Sequence, residues 1–543
     1  NVDSFAIDVV PGELAPAELP ALFARLTRVL SLPAGEIEKR IPAKNYLTFQ
    51  PVEVKGVVSF DTVSFIAEHR EEFRGVSWRN KPIRSYTQSA GLAHVIGYVG
   101  DITREELQVL YNAGYEAGSV LGKSGVEKQY DLVLRGTAGK KFRVVDVRER
   151  RMDGGEADVV PPKPGLNVVL TIDRHIQEVC EQALGPRNGS VVVLKPATGE
   201  ILALVSYPSF DPNRFFAPGS TEYFTALATE PSFPFLNRTI QSVYPPGSVF
   251  KIIMTTAIVE GGTIPINRAV RCMGKLEFGD RVFNCWEKKG HGYQDLMGGL
   301  AQSCDVYFFT MGNELGVDTI DSFARDFGIG ALTGIDLPEE RTGLLPTPEW
   351  KQKTKHMKWL GGDTLNLSIG QGFVTMSPLQ MANMVALVAN GGVVYKPHVL
   401  RETRDPQTGA VVSLVAPEVL HTSAVSGETF RTVQEAMRGV ITKGTAGPVI
   451  TTRAVEVAGK TGTAEIGVEG RWHSWFAAYG PYQTENPEER VVVVVMAEAS
   501  SSWEWWAPKA ANLIFQAIFA RQSFEEAVAA VKPWYSDAIR RTD

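Results

Sequence analysis

The stretch Tyr244-Pro-Pro-Gly-Ser-Val-Phe-Lys-Ile-Ile-Met-Thr-Thr-Ala-Ile-Val-Glu-Gly-Gly262 decides the reading of the chain, because it sets a nucleophile and a base on one helical face. Pro245, Pro246 and Gly247 oppose a helix continued backwards, Val249 to Glu260 reads as a helix, and Gly261-Gly262 stop it. Ser248 therefore falls at the helix N-terminus, and Lys251, one turn on, brings its amine within reach of the serine hydroxyl. The run is apolar nearly all round (Val249, Phe250, Ile252, Ile253, Met254), which predicts a helix buried at the centre of a domain. A buried lysine at the positive end of a helix dipole is driven toward its neutral form, and a neutral amine can take the proton of a serine. Ser-x-x-Lys alone is a weak signal, since a capping serine with a solvated lysine has the same spacing.

The chain has 543 residues, enough for two or three domains, and its net charge of −6 gives no basic face of the kind nucleic acid requires. No run of 18 apolar residues marks a membrane span. The chain opens on Asn1 in strand-like sequence, so an N-terminal anchor preceding it is expected.

Residues 1–165 alternate short strands and helices: a helix over Ala15–Leu30, a strand over Val52–Val58, helices over Ser59–Phe73 and Thr103–Ala113. His69 and His94 read as structural. Gly122 to Asp131 lacks the spacing of a phosphate-binding loop. Charges, Gly154-Gly155 and Pro161-Pro-Lys-Pro164 then mark a domain boundary. A second domain over 166–522 follows, with a strand (Val168–Ile172), a helix (Arg174–Leu184) and two strands (Gly189–Leu194, Glu200–Ser206). Helices over Val306–Leu315, Thr375–Asn390 and Gly427–Ile441 come next, then strands over Ala454–Gly459, Trp475–Tyr479 and Arg490–Ala497, and a closing helix over Ala507–Arg521. Val491–Val495, apolar on both faces, predicts a central strand. Residues 523–543 read as a tail.

Two further motifs join the serine helix. Ser303-Cys304-Asp305 precedes a helix, and Lys460-Thr461-Gly462-Thr463 ends a strand on small residues that let a substrate backbone approach. Serine–lysine, Ser-x-Asn type and Lys-Thr-Gly together are the signature of β-lactamases and penicillin-binding proteins. With His94-Val-Ile-Gly-Tyr-Val-Gly100, Gly125-Val-Glu-Lys128, Gly199 to Asn213 and Ser368-Ile-Gly-Gln-Gly372, nearly the whole chain resembles the class B penicillin-binding proteins of the elongation type, the penicillin-binding protein 2 group.

The resemblance implies an α+β multidomain chain: an elongated pedestal, or dimerisation-type, domain over 1–165, and a transpeptidase domain over 166–522 in which helices flank a five-stranded antiparallel sheet beside an all-helical subdomain. It implies a serine-type D-Ala-D-Ala transpeptidase that cross-links peptidoglycan stem peptides and is acylated by β-lactams. In that scheme Ser248 is the nucleophile, Lys251 its base, Ser303 a proton relay and Lys460 an electrostatic support. Thr461, Gly462 and Thr463 bind substrate, and the N–H groups of Ser248 and Thr463 form the oxyanion hole. Asp305 departs from the asparagine usual in the wider family; ionised, it accepts hydrogen bonds and donates none, so an ion pair with Lys251 or Lys460 is expected. The implied setting is the outer face of the cytoplasmic membrane, with a membrane glycosyltransferase of the RodA type and elongation proteins such as MreC as partners. A D,D-carboxypeptidase or serine β-lactamase, and a non-catalytic penicillin-binding sensor, are the rival readings. The former lacks a separate Glu motif for deacylation.

Cys272-x12-Cys285-x5-His291-x12-Cys304 supplies three thiolates and an imidazole, a tetrahedral set for structural zinc. A Cys272–Cys285 disulfide with Cys304 free is the alternative; zinc is favoured because the disulfide leaves a third cysteine unexplained. The resemblance also implies a zinc site between the first two motifs. Cys180 reads as a buried apolar residue.

Overall fold

The computed structural model describes every residue except 82, 88–90, 117, 143, 145, 148–158, 218 and 533–543. Backbone contacts divide the chain into two units, one from 1–89, 132–165 and 211–225, the other from 90–131, 166–210 and 226–543. The division is not sequential, because residues 90–131 join the catalytic unit through distant partners. The Tyr130 hydroxyl donates to Asp336 at 2.6 Å, and Lys128 pairs with Glu339 at 2.7 Å. Part of the boundary expected from composition, 148–158, lies outside the described residues.

The smaller unit contains β1 (Phe5–Val9), α1 (Leu19–Val29), β2 (Val52–Val58) and β3 (Val76–Asn80), with β1 at the centre of a three-stranded antiparallel sheet. Leu19, Leu22, Phe23 and Leu26 of α1 are buried with Ile7 and Val9 of β1, the i, i+3, i+4, i+7 stripe of a one-faced helix. The helix starts at Leu19 rather than at Ala15, with Pro20 in its first turn, where a missing N–H costs nothing.

The larger unit contains α2 (Arg174–Leu184), β4 (Gly189–Leu194), β5 (Ile201–Tyr207), α3 (Lys251–Gly261), β6 (Lys275–Phe278), β7 (Arg281–Asn284), α4 (Asp305–Leu315), α5 (Pro378–Ala389), α6 (Gly427–Thr442), β8 (Ala458–Glu465), β9 (Trp472–Gly480), β10 (Val491–Ala499), α7 (Trp506–Ala520) and α8 (Phe524–Val531). Its five-stranded sheet runs β5-β4-β10-β9-β8, antiparallel throughout. Val492 to Val495 of β10 are fully buried, as a strand covered on both faces must be; every residue of α5 is buried, and its leucines, methionines, valines and alanines share one core with them. Burial on this scale, at about 25 cal/mol per Å² of apolar surface, is what holds the catalytic elements in place.

Two expectations need correction. The strand expected over Ala454–Gly459 begins at Ala458 and runs through the Lys-Thr-Gly-Thr motif, so the motif lies inside the strand and not at its end. Its glycines keep it close to its neighbours: a Cβ on Gly459 would stand 2.4 Å from that of Ala478. The segment expected as a tail from 523 opens with α8, capped by a reciprocal Ser523–Glu526 box, and Val528 packs with Leu513 and Val449. Among the described residues no helix is long and apolar enough to cross a membrane.

Candidate active site

The serine does not begin the α-helix directly. Gly247–Phe250 form a 3-10 turn that leads into α3. Gly247 has φ +54°, and its N–H donates to the Gly370 carbonyl at 2.9 Å. A Cβ on Gly370 would stand 2.1 Å from the Gly247 oxygen, so the Ser368–Gly372 motif serves as a brace under the serine turn. On the other side β8 closes in. A Cβ on Gly462 would meet Val249 Cγ2 at 2.9 Å and Trp475 Cβ at 3.0 Å, and one on Gly247 would meet the Thr463 oxygen at 2.8 Å. The small residues of the Lys-Thr-Gly-Thr motif are therefore what let the strand and the serine turn lie side by side.

Lys251 is fully buried and its amine makes three hydrogen bonds: to Ser303 O at 2.9 Å, to Ser303 Oγ at 3.2 Å and to Asp305 Oδ1 at 2.6 Å. Among the described residues these bonds go to the second motif rather than to Ser248, which revises the pairing expected from helical spacing. Asp305 is the first residue of α4, and its other oxygen accepts from the Trp286 N–H at 3.0 Å. The aspartate thus serves as counter-charge to the buried Lys251 and as a clip on the preceding loop. Ser303 is held at φ +53°, a left-handed conformation that a non-glycine residue adopts only when its surroundings impose it; the lysine bond to its carbonyl is one such restraint.

Lys460 is driven toward neutrality. Its amine is fully buried, and desolvation, followed by the nearby positive charge of Lys251, holds its pKa well below the ordinary lysine value against the opposing pull of Asp305. Its donors go to Thr461 O at 2.9 Å and Thr461 Oγ1 at 3.4 Å. Strand β8 is the outer strand of the sheet, paired among the described residues with β9 alone, so its other edge can take a substrate strand.

Ser248, Ser303, Asp305, Thr461, Gly462 and Thr463 all line one cleft of about 830 Å³, with Lys251 and Lys460 buried beneath it. Trp286, Trp472, Trp475, Trp503 and Trp505 supply aromatic wall. His69 and His94 do not line this cleft; His94 is buried and hydrogen-bonded to Pro234 O at 2.7 Å, a structural role. Sequence reading missed Thr445, which lines the cleft and shares a 2.8 Å hydroxyl contact with Thr461. The available signal was the run Lys443-Gly-Thr-Ala446 just after α6, where a Cβ on Gly444 would stand 2.1 Å from the Ala301 oxygen.

Beside the cleft the donor atoms of Cys272, Cys285, His291 and Cys304 lie within 4.8 Å of one another, and no cysteine is in a disulfide. His291 Nδ1 faces Cys285 Sγ at 3.5 Å and Cys272 Sγ at 3.7 Å. Ligands about 2.3 Å (sulfur) and 2.0 Å (nitrogen) from a tetrahedral zinc stand roughly 3.5–3.8 Å apart, so these residues fit that ion. The Cys285 and Cys304 thiols share a hydrogen bond that pushes the former down to about 3 and the latter up. Cys304 caps α4 between Ser303 and Asp305, so the cluster ties the β6–β7 hairpin to the second motif.

The Penicillin binding protein transpeptidase domain family matches residues 189–520, and the Penicillin-binding Protein dimerisation domain family matches residues 1–170. The peptidoglycan D,D-transpeptidase MrdA of Acinetobacter baumannii is 36% identical over 446 residues, covering 81% of this chain and 66% of that protein. The protein of the same name from Escherichia coli is 33% identical over 469 residues, covering 82% and 73%. A solved complex between penicillin-binding protein 2 and MreC from Helicobacter pylori superposes with a TM-score of 0.80 at 25% identity, over 97% of this chain and 94% of that one. A structure described as structural coordination of polymerization and crosslinking by a peptidoglycan synthase complex superposes with a TM-score of 0.70 at 28% identity, over 95% and 87%. With three motifs converging on one cleft and both family domains matched in order, the chain belongs to the penicillin-binding protein transpeptidase family, in the group that carries the dimerisation domain ahead of the catalytic one.

Proposed function

We propose that this chain is a peptidoglycan D,D-transpeptidase of wall elongation. Ser248 Oγ attacks the carbonyl of the penultimate D-alanine of a donor stem peptide, the terminal D-alanine leaves as the free amino acid, and an amine of a neighbouring stem takes the acyl group from the serine. The observation that carries the reading is the convergence of Ser248, Ser303 and the open edge of β8 on one cleft underlain by two buried lysines. Acyl transfer needs a nucleophile, a proton acceptor that can return the proton, and N–H donors for the oxyanion.

Each part has a candidate. Lys251, fixed by Ser303 and Asp305, takes the serine proton in its neutral form, once its own proton has passed to the Asp305 carboxylate 2.6 Å away. The Ser303 hydroxyl, 3.2 Å from that amine, passes protons to the leaving amine and from the attacking one. Lys460, pushed toward neutrality, adds little charge of its own and fixes Thr461 for the substrate carboxylate. The closeness of Gly247 to the Thr463 carbonyl favours an oxyanion hole of the Ser248 and Thr463 N–H groups. β-Lactams acylate the same serine. Zinc, held by Cys272, Cys285, His291 and Cys304, supplies a structural cross-link and no step of the chemistry. The unit works at the outer face of the cytoplasmic membrane, where stem peptides are, beside a separate membrane glycosyltransferase and an elongation protein of the MreC kind; the two solved complexes support those partners by likeness.

Intact-mass measurement after exposure to benzylpenicillin tests the nucleophile: one adduct on the native chain and none on Ser248→Ala is the expected result. An adduct on Ser248→Ala overturns the assignment. Turnover of a stem-peptide donor with and without an amine acceptor separates cross-linking from hydrolysis and from a non-catalytic sensor.

A further inference from the structure

Ser303 stands in the left-handed region because of how the preceding helix ends. The short helix Leu296–Ala301 stops at Gln302, and the chain leaves it through a Schellman turn: the Cys304 N–H donates to Gly299 O at 2.8 Å and the Ser303 N–H to Leu300 O at 3.1 Å. In that turn the residue after the cap takes a positive φ, a place where glycine is usual, and here it is Ser303 at φ +53°. The strain has a return, since the turn sets the serine hydroxyl 3.2 Å from the Lys251 amine.

A residue other than glycine keeps this conformation only while its surroundings impose it. The two bonds of the turn are local. Three more donors come from distant segments: the Thr445 N–H to Ala301 O at 3.0 Å, the Lys251 amine to Ser303 O at 2.9 Å, and the indole N–H of Trp286 to Gln302 O at 3.0 Å. Trp286 grips the motif at both ends, because its backbone N–H also donates to Asp305 Oδ2 at 3.0 Å. One bond falls before Ser303 and the other after Cys304, so the tryptophan spans the turn that carries the hydroxyl. Its ring is itself placed, edge-on to His291 with centroids 5.1 Å apart. Trp286 lines the cleft and is 41% exposed, so its two hydrogen bonds, rather than burial in a core, are what fix it there.

We propose that Trp286 is a positioning residue for the Ser303 hydroxyl: its indole N–H fixes the Gln302 carbonyl, and with it the left-handed turn that keeps Ser303 against Lys251. The inference rests on the transpeptidase reading above, in which Ser303 relays protons, and adds the side chain on which the geometry of that relay depends. Without the indole donor the Gln302 carbonyl can turn to water, the Gln302–Ser303 peptide is free to rotate, and the hydroxyl leaves its line to the amine. One neutral hydrogen bond biases such an equilibrium by a factor of about 2–10.

The test deletes the donor at constant shape, in the whole chain, by replacing Trp286 with 3-benzothienylalanine, whose sulfur stands where the indole N–H was; Trp286→Phe is made beside it. Stopped-flow acylation by a fluorescent penicillin separates the noncovalent binding constant from the acylation rate constant. Both replacements are measured in the native and in the Ser303→Ala background, the latter followed by intact mass over hours, since loss of a relay slows acylation by about 10²–10⁴-fold without abolishing it. In the native background the rate constant is expected to fall about fivefold with binding within about twofold of native, and in the Ser303→Ala background the loss should vanish, because no hydroxyl is left to place. A rate constant within about 1.5-fold of native for the benzothienyl variant overturns the proposal. So does a loss of the same factor in both backgrounds, the mark of a merely structural residue, and so does weakened binding at an unchanged rate constant. Zinc content and Tm are read on every variant, and if Trp286→Phe loses either, the benzothienyl variant decides. No penicillin adduct on the native chain would sink the transpeptidase reading itself, whereas an adduct with equal losses in both backgrounds sinks the role of Trp286 alone.

Discussion

Replacing Asp305 with alanine perturbs stability and chemistry through one contact, and the size of the effect can be worked out. The carboxylate stands 2.6 Å from the amine of a lysine with no exposed surface, and accepts a second hydrogen bond of 3.0 Å from the Trp286 N–H. Removing one partner of a buried pair costs about 3–5 kcal/mol because the other charge is left uncompensated. Bond by bond, a lost charged hydrogen bond of about 1.5–3 kcal/mol plus an unpaired backbone donor of about 1–3 kcal/mol gives about 2.5–6 kcal/mol, which brackets that range. Asp305 lines the cleft, so water can reach the vacated space, and the low end, about 3 kcal/mol, is the expected value. For a unit of about 400 residues this lowers Tm by roughly 3–4 °C, at about 2 cal/mol/K of unfolding entropy per residue. Acylation by a fluorescent penicillin should slow by about a hundredfold as the Lys251 amine loses the group that aims it. Asp305→Asn keeps an acceptor but not the charge, and should fall between. A Tm within 1 °C of native together with acylation within threefold for Asp305→Ala would show that the pair neither holds the lysine nor matters to its chemistry.

Two further expectations follow from buried groups. Protein purified without chelator should carry one zinc per chain, and Cys304→Ser should lower zinc content, thermal stability and acylation together, since that residue sits between Ser303 and Asp305; no zinc together with a Cys272–Cys285 disulfide in thiol titration would dismiss the site. His94 and His473 are both pushed down to about 4 by burial. A depressed histidine contributes stability that is complete above its unfolded value near 6.5 and is lost as pH falls toward 4, because the unfolded chain then binds the extra proton. Linkage puts the loss at about 2 kcal/mol per residue by pH 5. Urea unfolding at pH 7 and pH 5 checks it, and equal midpoints for the catalytic unit would refute the burial argument.

How much was legible before the fold was known depended on the range of each interaction. The helix that begins at Lys251, directly after the Ser248 turn, the double-faced strand at Val491–Val495 and the capped start of α5 are set by local periodicity, prolines and caps, so their sequence alone placed them. Residue types were equally local: a serine one turn from a lysine, a glycine between two threonines, three cysteines and a histidine at intervals a metal could use. The partner of Lys251 was not local. Helical spacing pointed to Ser248, whereas packing of α4 against α3 brought Ser303 and Asp305, more than 50 residues away, onto the amine. Burial, a property of the whole core, pressed Lys460 toward neutrality, and the packing of α4 set Asp305 against Lys251. The edge position of β8 and the meeting of Thr445 with Thr461 likewise arise where separate elements meet. Short-range order is written in turns, caps and apolar spacing, but desolvation and charge compensation are decided only when distant segments exclude water from one another.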